Sequence, residues 1–459
     1  MERISDLIRQ HDIRFFDLKY SDVIGRLRHV TLPIERLEAA VKSGVGFDSS
    51  SVVGFRSVEA GDMVLRPDFD TAFLDPFAAR PTLSCLALIQ DPVTGEESNR
   101  DPRAVLRKAV TLVRRETGGG ELMVLPELEF YLFDKAEFGG NNTTAGFLVE
   151  SEEQDELDGS GMTLRDGSAY HIAPPFDRSR DFRDELIELM AGVGIPVKYH
   201  HHEGGRHSHV EIEPGLMPAL QAADAVLLAK YLIRNLALRQ GKSPTFMPKP
   251  LYGEPGSGMH FHQYVAKSGR SLFGDAASPS RLSALALHYI AGILEHAPSL
   301  CGLTNPSTNS YRRLVPGYEA PTLVFFSLGS RTAAIRVPGY ITDPDGMVIE
   351  YRIPDGTCNP HLAIAAMALA GLDGITRRLE AGMPFQGGLR DAEEKFGSKL
   401  LPRSLSDALA ALKQDSDYLR CDGVFPDELL EFWARYRQAE ADAVRLRPHP
   451  WEFQLYYGS

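Results

Sequence analysis

The chain has 459 residues, 43% of them hydrophobic and 24% charged, and 62 acidic against 49 basic side chains give a formal net charge of −13. That composition is that of an ordinary soluble globular protein and excludes nucleic acid or an anionic membrane as the main partner. An anionic small molecule held by a local basic cluster stays compatible with it. The length suits one large domain and one smaller one. The start, "MERISDLIRQHDIRFFDLKY", is charged throughout and lacks the apolar region of a signal peptide. No apolar run approaches the ~18 residues of a membrane helix. The cysteines (Cys85, Cys301, Cys358, Cys421) are scattered without a C-x-x-C, the pattern of reduced thiols. A cytoplasmic protein is expected.

In chain order, residues 13–33, "IRFFDLKYSDVIGRLRHVTLP", read as two short strands joined by a turn at Gly25, and "PTLSCLALI" (81–89) as another strand. The polar, breaker-rich "DPVTGEESNRDPR" (91–103) predicts a boundary near residue 97, with domains over 1–96 and 97–459. Beyond it "DPRAVLRKAVTLVRRET" has helical spacing behind an Asp-Pro start. Further helices are expected over 178–192, 217–239, 281–297, 360–381 and 426–445. Between them lie the strand candidates "LPELEFYLF", "VKYHHHE", "HVEIEP", "SGMHFHQYV", "TLVFFSL", "AAIRVP" and "MVIEYRIP". Strands not separated by regular crossovers predict an α+β fold with a mainly antiparallel sheet.

Several of these strands share an oddity. Side chains two apart in a strand lie on one face, which pairs Glu127 with Glu129, His201 with Glu203, Glu211 with Glu213, His260 with His262, and Glu350 with Arg352. A single such pair is an ordinary solvated face, whereas five rich in Glu, His and Arg form a polar floor or the lining of a funnel. Carboxylates converge there only if cations offset their repulsion and desolvation. A carboxylate-dominated set with one histidine suits Mg²⁺ or Mn²⁺ better than zinc.

The stretch "YHHHEGGRHSHVEIEP" (199–214) holds five of the chain's 14 histidines, yet it is not H-E-x-x-H, and two glycines break the helix that motif requires. It reads as a hairpin with Glu203 on one strand and Glu211 on the other. The glutamates are then the ligands, and most of the histidines are neighbours. The common phosphate loops are absent, so phosphate would be held by metal and guanidinium. "NSYRRLVPGYEAP" and "GSRTAAIRVP" supply Arg312, Arg313, Arg331 and Arg336 for planar anion binding.

Taken in order, "FFDLKYSDVIGRLRHVTLP", "GFDSSSVVGF", "PELEFYLFD", "HHHE", "TFMPKPLYGEPGSGMHFH", "NPSTNSYRRLVPGYEAP", "IEYRIPD" and "PHPWEFQLYY" make the chain resemble type I glutamine synthetase over nearly its whole length. The resemblance implies a small N-terminal β-grasp-like domain and a large catalytic domain on a curved antiparallel sheet flanked by helices. It also implies a homo-oligomeric dodecamer of two hexameric rings, active sites between neighbouring subunits, and a C-terminal tether between rings. The implied substrates are glutamate, ATP and ammonium, joined through a γ-glutamyl phosphate, with two or three Mg²⁺ or Mn²⁺ ions per site.

Residue by residue, Glu129, Glu203 and Glu211 match the ligands of the metal nearer glutamate and ammonia, and Glu127, His260 and Glu350 those of the metal on the ATP phosphates. His262 matches a phosphate contact, Arg313 and Arg352 the glutamate-binding arginines, and Arg331 and Arg336 those on the transferring phosphoryl group. Asp48 and Ser51 from the adjacent subunit match the ammonium pocket, together with Tyr170 and Glu203. Glu319 matches the flap glutamate that helps receive the proton, and Gly256 sits in the glutamate-side loop. Glu213 has no counterpart role and is expected to be an exposed or structural carboxylate.

The chain also departs from the family pattern. Ser49 stands for a glycine beside the ammonium pocket, Phe55 for a common tryptophan, and Pro255 for a common asparagine. His209 and Val210 replace two polar residues beside Glu211, while Val348 and Gly329 each replace an arginine on the nucleotide side. The tyrosine-bearing loop that some members adenylylate has no counterpart around "LRDAEEKFGSKLLP", so that control is not expected. Because the family includes ligases that join glutamate to polyamines, alkylamines or aromatic amines, a γ-glutamyl-amine ligase is the alternative. A non-catalytic structural or regulatory member is the alternative of another class.

Overall fold

A computed structural model describes residues 2–153, 164–165 and 167–459. Its N-terminal sheet contains β1 (Phe15–Ser21), β2 (Leu27–Pro33), β3 (Val45–Asp48), β4 (Asp62–Leu74) and β5 (Thr82–Gln90), in the order β2-β1-β5-β4-β3. The β1–β2 hairpin turns at Gly25, whose φ of +86° is open to glycine at no steric cost. A Cβ there would also stand 3.1 Å from the Cα of Asn359. The Asn359 amide donates to the carbonyls of Asp22 and Val23, so the N-cap residue of a helix far downstream holds this turn in place.

Downstream, β6 (Glu121–Pro126) runs almost directly into β7 (Leu128–Phe133), and the hairpin of β8 (Lys135–Gly140) and β9 (Ala145–Glu150) follows. Next come β10 (Val197–His202), β11 (His209–Pro214), β12 (Met217–Pro218) and β13 (Ser243–Thr245). The last strands are β14 (Phe261–Lys267), β15 (Arg270–Ser271), β16 (Leu323–Leu328), β17 (Ala333–Val337) and β18 (Ile349–Tyr351). They form two sheets, β10-β11-β7-β13 and β12-β6-β14-β18-β17-β16, with β15 attached to β14. Pairing is antiparallel except between β1 and β5 and between β16 and β17. Because β6 and β7 are separated by Glu127 alone, one continuous stretch crosses from one sheet to the other and sets Glu127 at the crossing.

Helices cover the sheets. They include α1 (Glu2–Gln10), α2 (Leu37–Ser43), α3 (Pro102–Glu116), α4 (Arg180–Gly192), α5 (Ala219–Arg239), α6 (Ala284–Glu295) and α7 (Ala297–Thr304). Helix α3 starts where Asp-Pro predicts, with the Asp101 carboxylate accepting from the Arg103 N–H and Pro102 in the first turn. The helix expected over 281–297 is shorter: Ser283 caps α6, and α7 is a separate helix behind it. That expected over 217–239 begins at Ala219, because Met217 and Pro218 pair with β6. The remaining helices are α8 (Ser310–Arg313), α9 (Pro360–Arg377), α10 (Leu389–Phe396), α11 (Leu405–Gln414), α12 (Asp427–Arg445) and α13 (Pro450–Tyr456).

One apolar cluster runs from Leu18, Leu83 and Leu86 of the N-terminal sheet through Val105 and Ala109 of α3 to Leu232, Leu362 and Leu369 of α5 and α9. It leaves a polar concavity on the other side of the two downstream sheets. Among the described residues, no helix is long and apolar enough to cross a membrane.

Candidate active site

The residues two apart in sequence converge on a cavity of about 1040 Å³. Glu127, Glu129, His201, Glu203, Glu211, His260, Glu350 and Arg352 all line it, with Tyr170, Gly256, Arg313, Glu319, Arg331 and Arg336. Register explains the convergence: Glu211 pairs with Glu129 across β11–β7 and with His201 across β10–β11, while His262 pairs with Glu350 across β14–β18. Three triads hold ligand atoms within 4.8 Å of one another: Glu127, His260 and Glu350; His201, Glu203 and Glu211; and Glu127, Glu211 and Glu213.

The 199–214 stretch is the expected hairpin. The Glu203 N–H donates to the His209 carbonyl, and the turn between carries positive φ at His207 (72°) and Ser208 (56°). Gly205 is required there, since a Cβ would lie 2.1 Å from the Tyr131 hydroxyl. His209 organises this turn. Its Nδ1 accepts from the Gly205 N–H at 3.2 Å, its Nε2 faces Ser257 Oγ at 3.1 Å, and its ring stacks on Tyr131 with centroids 4.2 Å apart. Burial pushes His209 down to about 3, so the ring is neutral. Tyr131 in turn donates to the Pro255 carbonyl at 2.7 Å. Two departures from the family pattern, His209 and Pro255, are thus joined through one tyrosine. Glu153 fastens the same hairpin from outside, accepting from the backbone N–H groups of Ser208 and Arg178 and facing His202 Nε2.

The charge distribution is uneven. Burial and the neighbouring carboxylates raise Glu203 and Glu211 well above the usual carboxylate range. Burial would raise Glu127 too, but His262 and His260 hold it well below; their ring nitrogens stand 2.7 and 2.8 Å from its oxygens. Glu350 is clasped by Arg336 and Arg352. Burial opposes its ionisation, and the charge of Arg352 outweighs that and holds the carboxyl low. Among the described residues, Oε2 of Glu203 and Oε2 of Glu213 are buried without a hydrogen-bond partner. Crowded carboxylates with orphaned oxygens fit a divalent cation, which would replace the protons that otherwise relieve their repulsion.

In metal-free protein Glu203 and Glu211 keep protons that the unfolded chain releases near its ordinary value of 4.5. The native state therefore binds more protons, and this contribution lowers stability as pH rises from there through the raised values. Ion binding removes the penalty. After chelation, the thermal shift produced by Mn²⁺ or Mg²⁺ is expected to grow as pH rises from the ordinary carboxylate value through the raised ones. A shift that does not change with pH would contradict the reading.

Other expected residues sit as follows. Arg313 directs four donors at the Ile353, Pro354 and Arg352 carbonyls and His260 Nε2, leaving Nε–H for a ligand. Gly256 packs on Arg313, and a Cβ there would stand 2.8 Å from Arg313 Cγ. Glu319, at φ 56°, stands 3.9 Å from Arg331. Tyr170 stacks on His171 at 4.1 Å. His262 does not line the cavity, since it stands behind Glu127. Asp48 ends β3 and Ser51 lies in the short turn behind it, both outside the cavity, the Asp48 carboxylate accepting from Ser50 and Ser51. Of the two expectations for Glu213, exposed or structural, the second holds: it is 1% exposed, because β11 is a central strand covered on both faces, and it pairs with Lys198 at 2.5 Å. Lys198, Tyr199, His171 and Tyr340, which also line the cavity, carried no spacing signal in the sequence.

Carboxylates beneath arginines, on the concave side of two mainly antiparallel sheets, are the arrangement that a metal-dependent enzyme acting on anionic substrates requires. The family model for the glutamine synthetase β-grasp domain matches residues 12–92, and that for the glutamine synthetase catalytic domain matches residues 99–456. The glutamine synthetase of Frankia alni is 40% identical over 467 residues, covering 99% of this chain and 98% of that one. The cryo-EM structure of Plasmodium falciparum glutamine synthetase superposes with a TM-score of 0.90 at 25% identity, covering 99% and 98% of the two chains. A ligand-free structure of GmaS shares the fold, with a TM-score of 0.84 at 23% identity over the full length of both. The chain belongs to the glutamine synthetase family.

Proposed function

We propose that this protein is a glutamate–ammonia ligase that makes L-glutamine from L-glutamate, ATP and ammonia through a γ-glutamyl phosphate. The observation that carries this reading is the carboxylate floor formed by buried Glu127, Glu129, Glu211 and Glu350 with half-buried Glu203, facing the arginines of one cavity. In the first step an oxygen of the glutamate γ-carboxylate bonds to the γ-phosphorus of ATP, and the bond to the β-phosphate oxygen breaks to release ADP. In the second, ammonia bonds to the γ-carbon, phosphate leaves, and a proton passes to a carboxylate.

Glu129, Glu203 and Glu211 would hold one Mg²⁺ or Mn²⁺, and Glu127, His260 and Glu350 a second, supplying neutralisation of the phosphate and carboxylate charge. The remaining work belongs to the chain's own groups. Arg331 and Arg336 receive the charge of the transferring phosphoryl group, and Arg352 with the free Nε–H of Arg313 orients the glutamate. His262 fixes Glu127. Tyr170 and Glu203 bind ammonium with Asp48 and Ser51 of an adjacent subunit, and Glu319 closes over the site and accepts the proton.

That Asp48 lies outside its own chain's cavity supports a shared site and hence an oligomer. So does helix α13, which leaves Trp451 (58%), Phe453 (55%) and Tyr456 (63%) exposed in the single chain. We read these as the tether between two hexameric rings. Removal of residues 450–459 is expected to halve the particle mass in light scattering; an unchanged mass would refute the tether.

The amine is decided by comparing ATP- and glutamate-dependent phosphate release with ammonium and with a panel of methylamine, polyamines and aniline. Ammonium is expected to be the preferred amine, with glutamine as product. Release with an organic amine and none with ammonium would make the protein a γ-glutamyl-amine ligase, with Ser49, Phe55 and Pro255 as the residues to examine.

A further inference from the structure

Lys249 stands where four segments meet. Its backbone N–H donates to Asn309 Oδ1 at 2.7 Å, and its carbonyl accepts from the Asn309 amide at 3.0 Å. Asn309 directly precedes α8, so this tie fixes Lys249 to the helix that ends in Arg313. The Lys249 ammonium donates to the Glu254 carbonyl. The Glu254 carboxylate is taken in turn by Arg206, in the turn after Glu203, whose Nε and backbone N–H stand 2.9 and 3.0 Å from its oxygens. Over the same ammonium lies the Tyr318 ring, its centre 3.5 Å from the nitrogen. Among the described residues Lys249 has no ion pair within 4.0 Å, so one carbonyl and the ring face are its close partners. Burial pushes this group down to about 8, against the pull of the Glu254 charge, and leaves it mostly cationic at neutral pH.

Tyr318 is the residue before Glu319, in a segment with little hold of its own. Among the described residues, Gly317, Tyr318 and Glu319 make no backbone hydrogen bond. Glu319 sits at φ 56°, a left-handed conformation that a side chain tolerates only where its surroundings impose it. Its carboxylate is largely exposed, with Arg331 3.9 Å away, a pair that solvent screens. The half-buried ring of Tyr318 beside a half-buried ammonium is the stronger attachment. We propose that Lys249 is a positioning residue for the flap: by gripping the Tyr318 ring it holds Glu319 over the cavity and keeps water from the acyl phosphate. This rests on the reading of the protein as a glutamate–ammonia ligase. Water reaching the acyl phosphate would bond through its oxygen to the γ-carbon. The bond from that carbon to the phosphate oxygen would break, and glutamate and phosphate would leave with the two protons of water. ATP would then be consumed without glutamine being formed.

The test measures ADP and glutamine together in the full protein, supplied with ATP, Mg²⁺, glutamate and ammonium. Wild type is expected to form the two products in equal amounts. Lys249→Met, which keeps the length and loses the charge, is expected to raise ADP per glutamine to at least about two and the KM for ammonium about fivefold, with the KM for ATP within about twofold. A smaller folded fraction lowers both products alike, so their ratio reads the flap and not the fold. Lys249→Arg and Tyr318→Phe, which keep a cation over a ring, should leave the products equal. Tyr318→Leu should uncouple them as Lys249→Met does, and the double variant no further, because both changes remove the same contact. Equal products in Lys249→Met, or effects that multiply in the double variant, would overturn the proposal while leaving the ligase reading intact. Wild-type protein that forms no glutamine would overturn that reading and this role with it.

Discussion

Glu129→Ala is expected to lower glutamine formation by at least about 10³-fold, equivalent to about 4 kcal/mol of transition-state stabilisation, while the folded, assembled protein persists. Glu129 lies opposite Glu211 on the paired strand and adds its charge to both Glu203 and Glu211. It also faces His260 Nε2 at 3.7 Å, so it joins the two halves of the carboxylate floor. Its one visible structural bond is from the Gly258 N–H at 2.8 Å. Losing that acceptor costs about 1–3 kcal/mol, which a chain of this size tolerates. Turnover measured beside particle mass separates the two effects. Near-normal turnover would remove Glu129 from the chemistry.

Glu350→Ala is expected to damage both fold and turnover. The side chain is wholly buried and holds two buried guanidiniums, Arg336 and Arg352. Truncation leaves both without their carboxylate, a loss of about 3–5 kcal/mol for a broken buried pair. It also removes a carboxylate from the triad with Glu127 and His260. Glu350→Gln keeps the volume and part of the hydrogen bonding, so it should unfold closer to wild type in urea yet stay inactive. Wild-type stability in Glu350→Ala would mean that the arginines are satisfied elsewhere.

Much of this site was legible because strand alternation is local. Glu127 and Glu129, or His260 and His262, announce a shared face wherever their strands go, and two glycines after Glu203 rule out the helix of a zinc protease. The Asp101–Pro102 helix start was legible for the same reason. What failed depended on contacts from distant segments. Glu213 reads as either exposed or structural, and only the cover over β11 decides between them. Lys198 reaches the cavity because its strand gains one residue against its neighbour, a mismatch visible only once both strands are paired. His209 looked like a lost polar ligand neighbour, and its use became clear from Tyr131 and Ser257, 78 and 48 residues away in the chain. The hairpin of β8 and β9 was missed because its strands hold three glycines and leave Phe138 and Phe147 largely exposed, so no buried face patterns them.

In the proposed reaction, ammonia displaces phosphate from a γ-glutamyl phosphate made in this cavity. Glutamate labelled with ¹⁸O in its γ-carboxylate, supplied with ATP, Mg²⁺ and ammonium, tests it most directly. Phosphate carrying one labelled oxygen, released in step with glutamine, is the predicted result. Unlabelled phosphate would mean that water, and not the glutamate carboxylate, took the phosphoryl group, and would contradict the account.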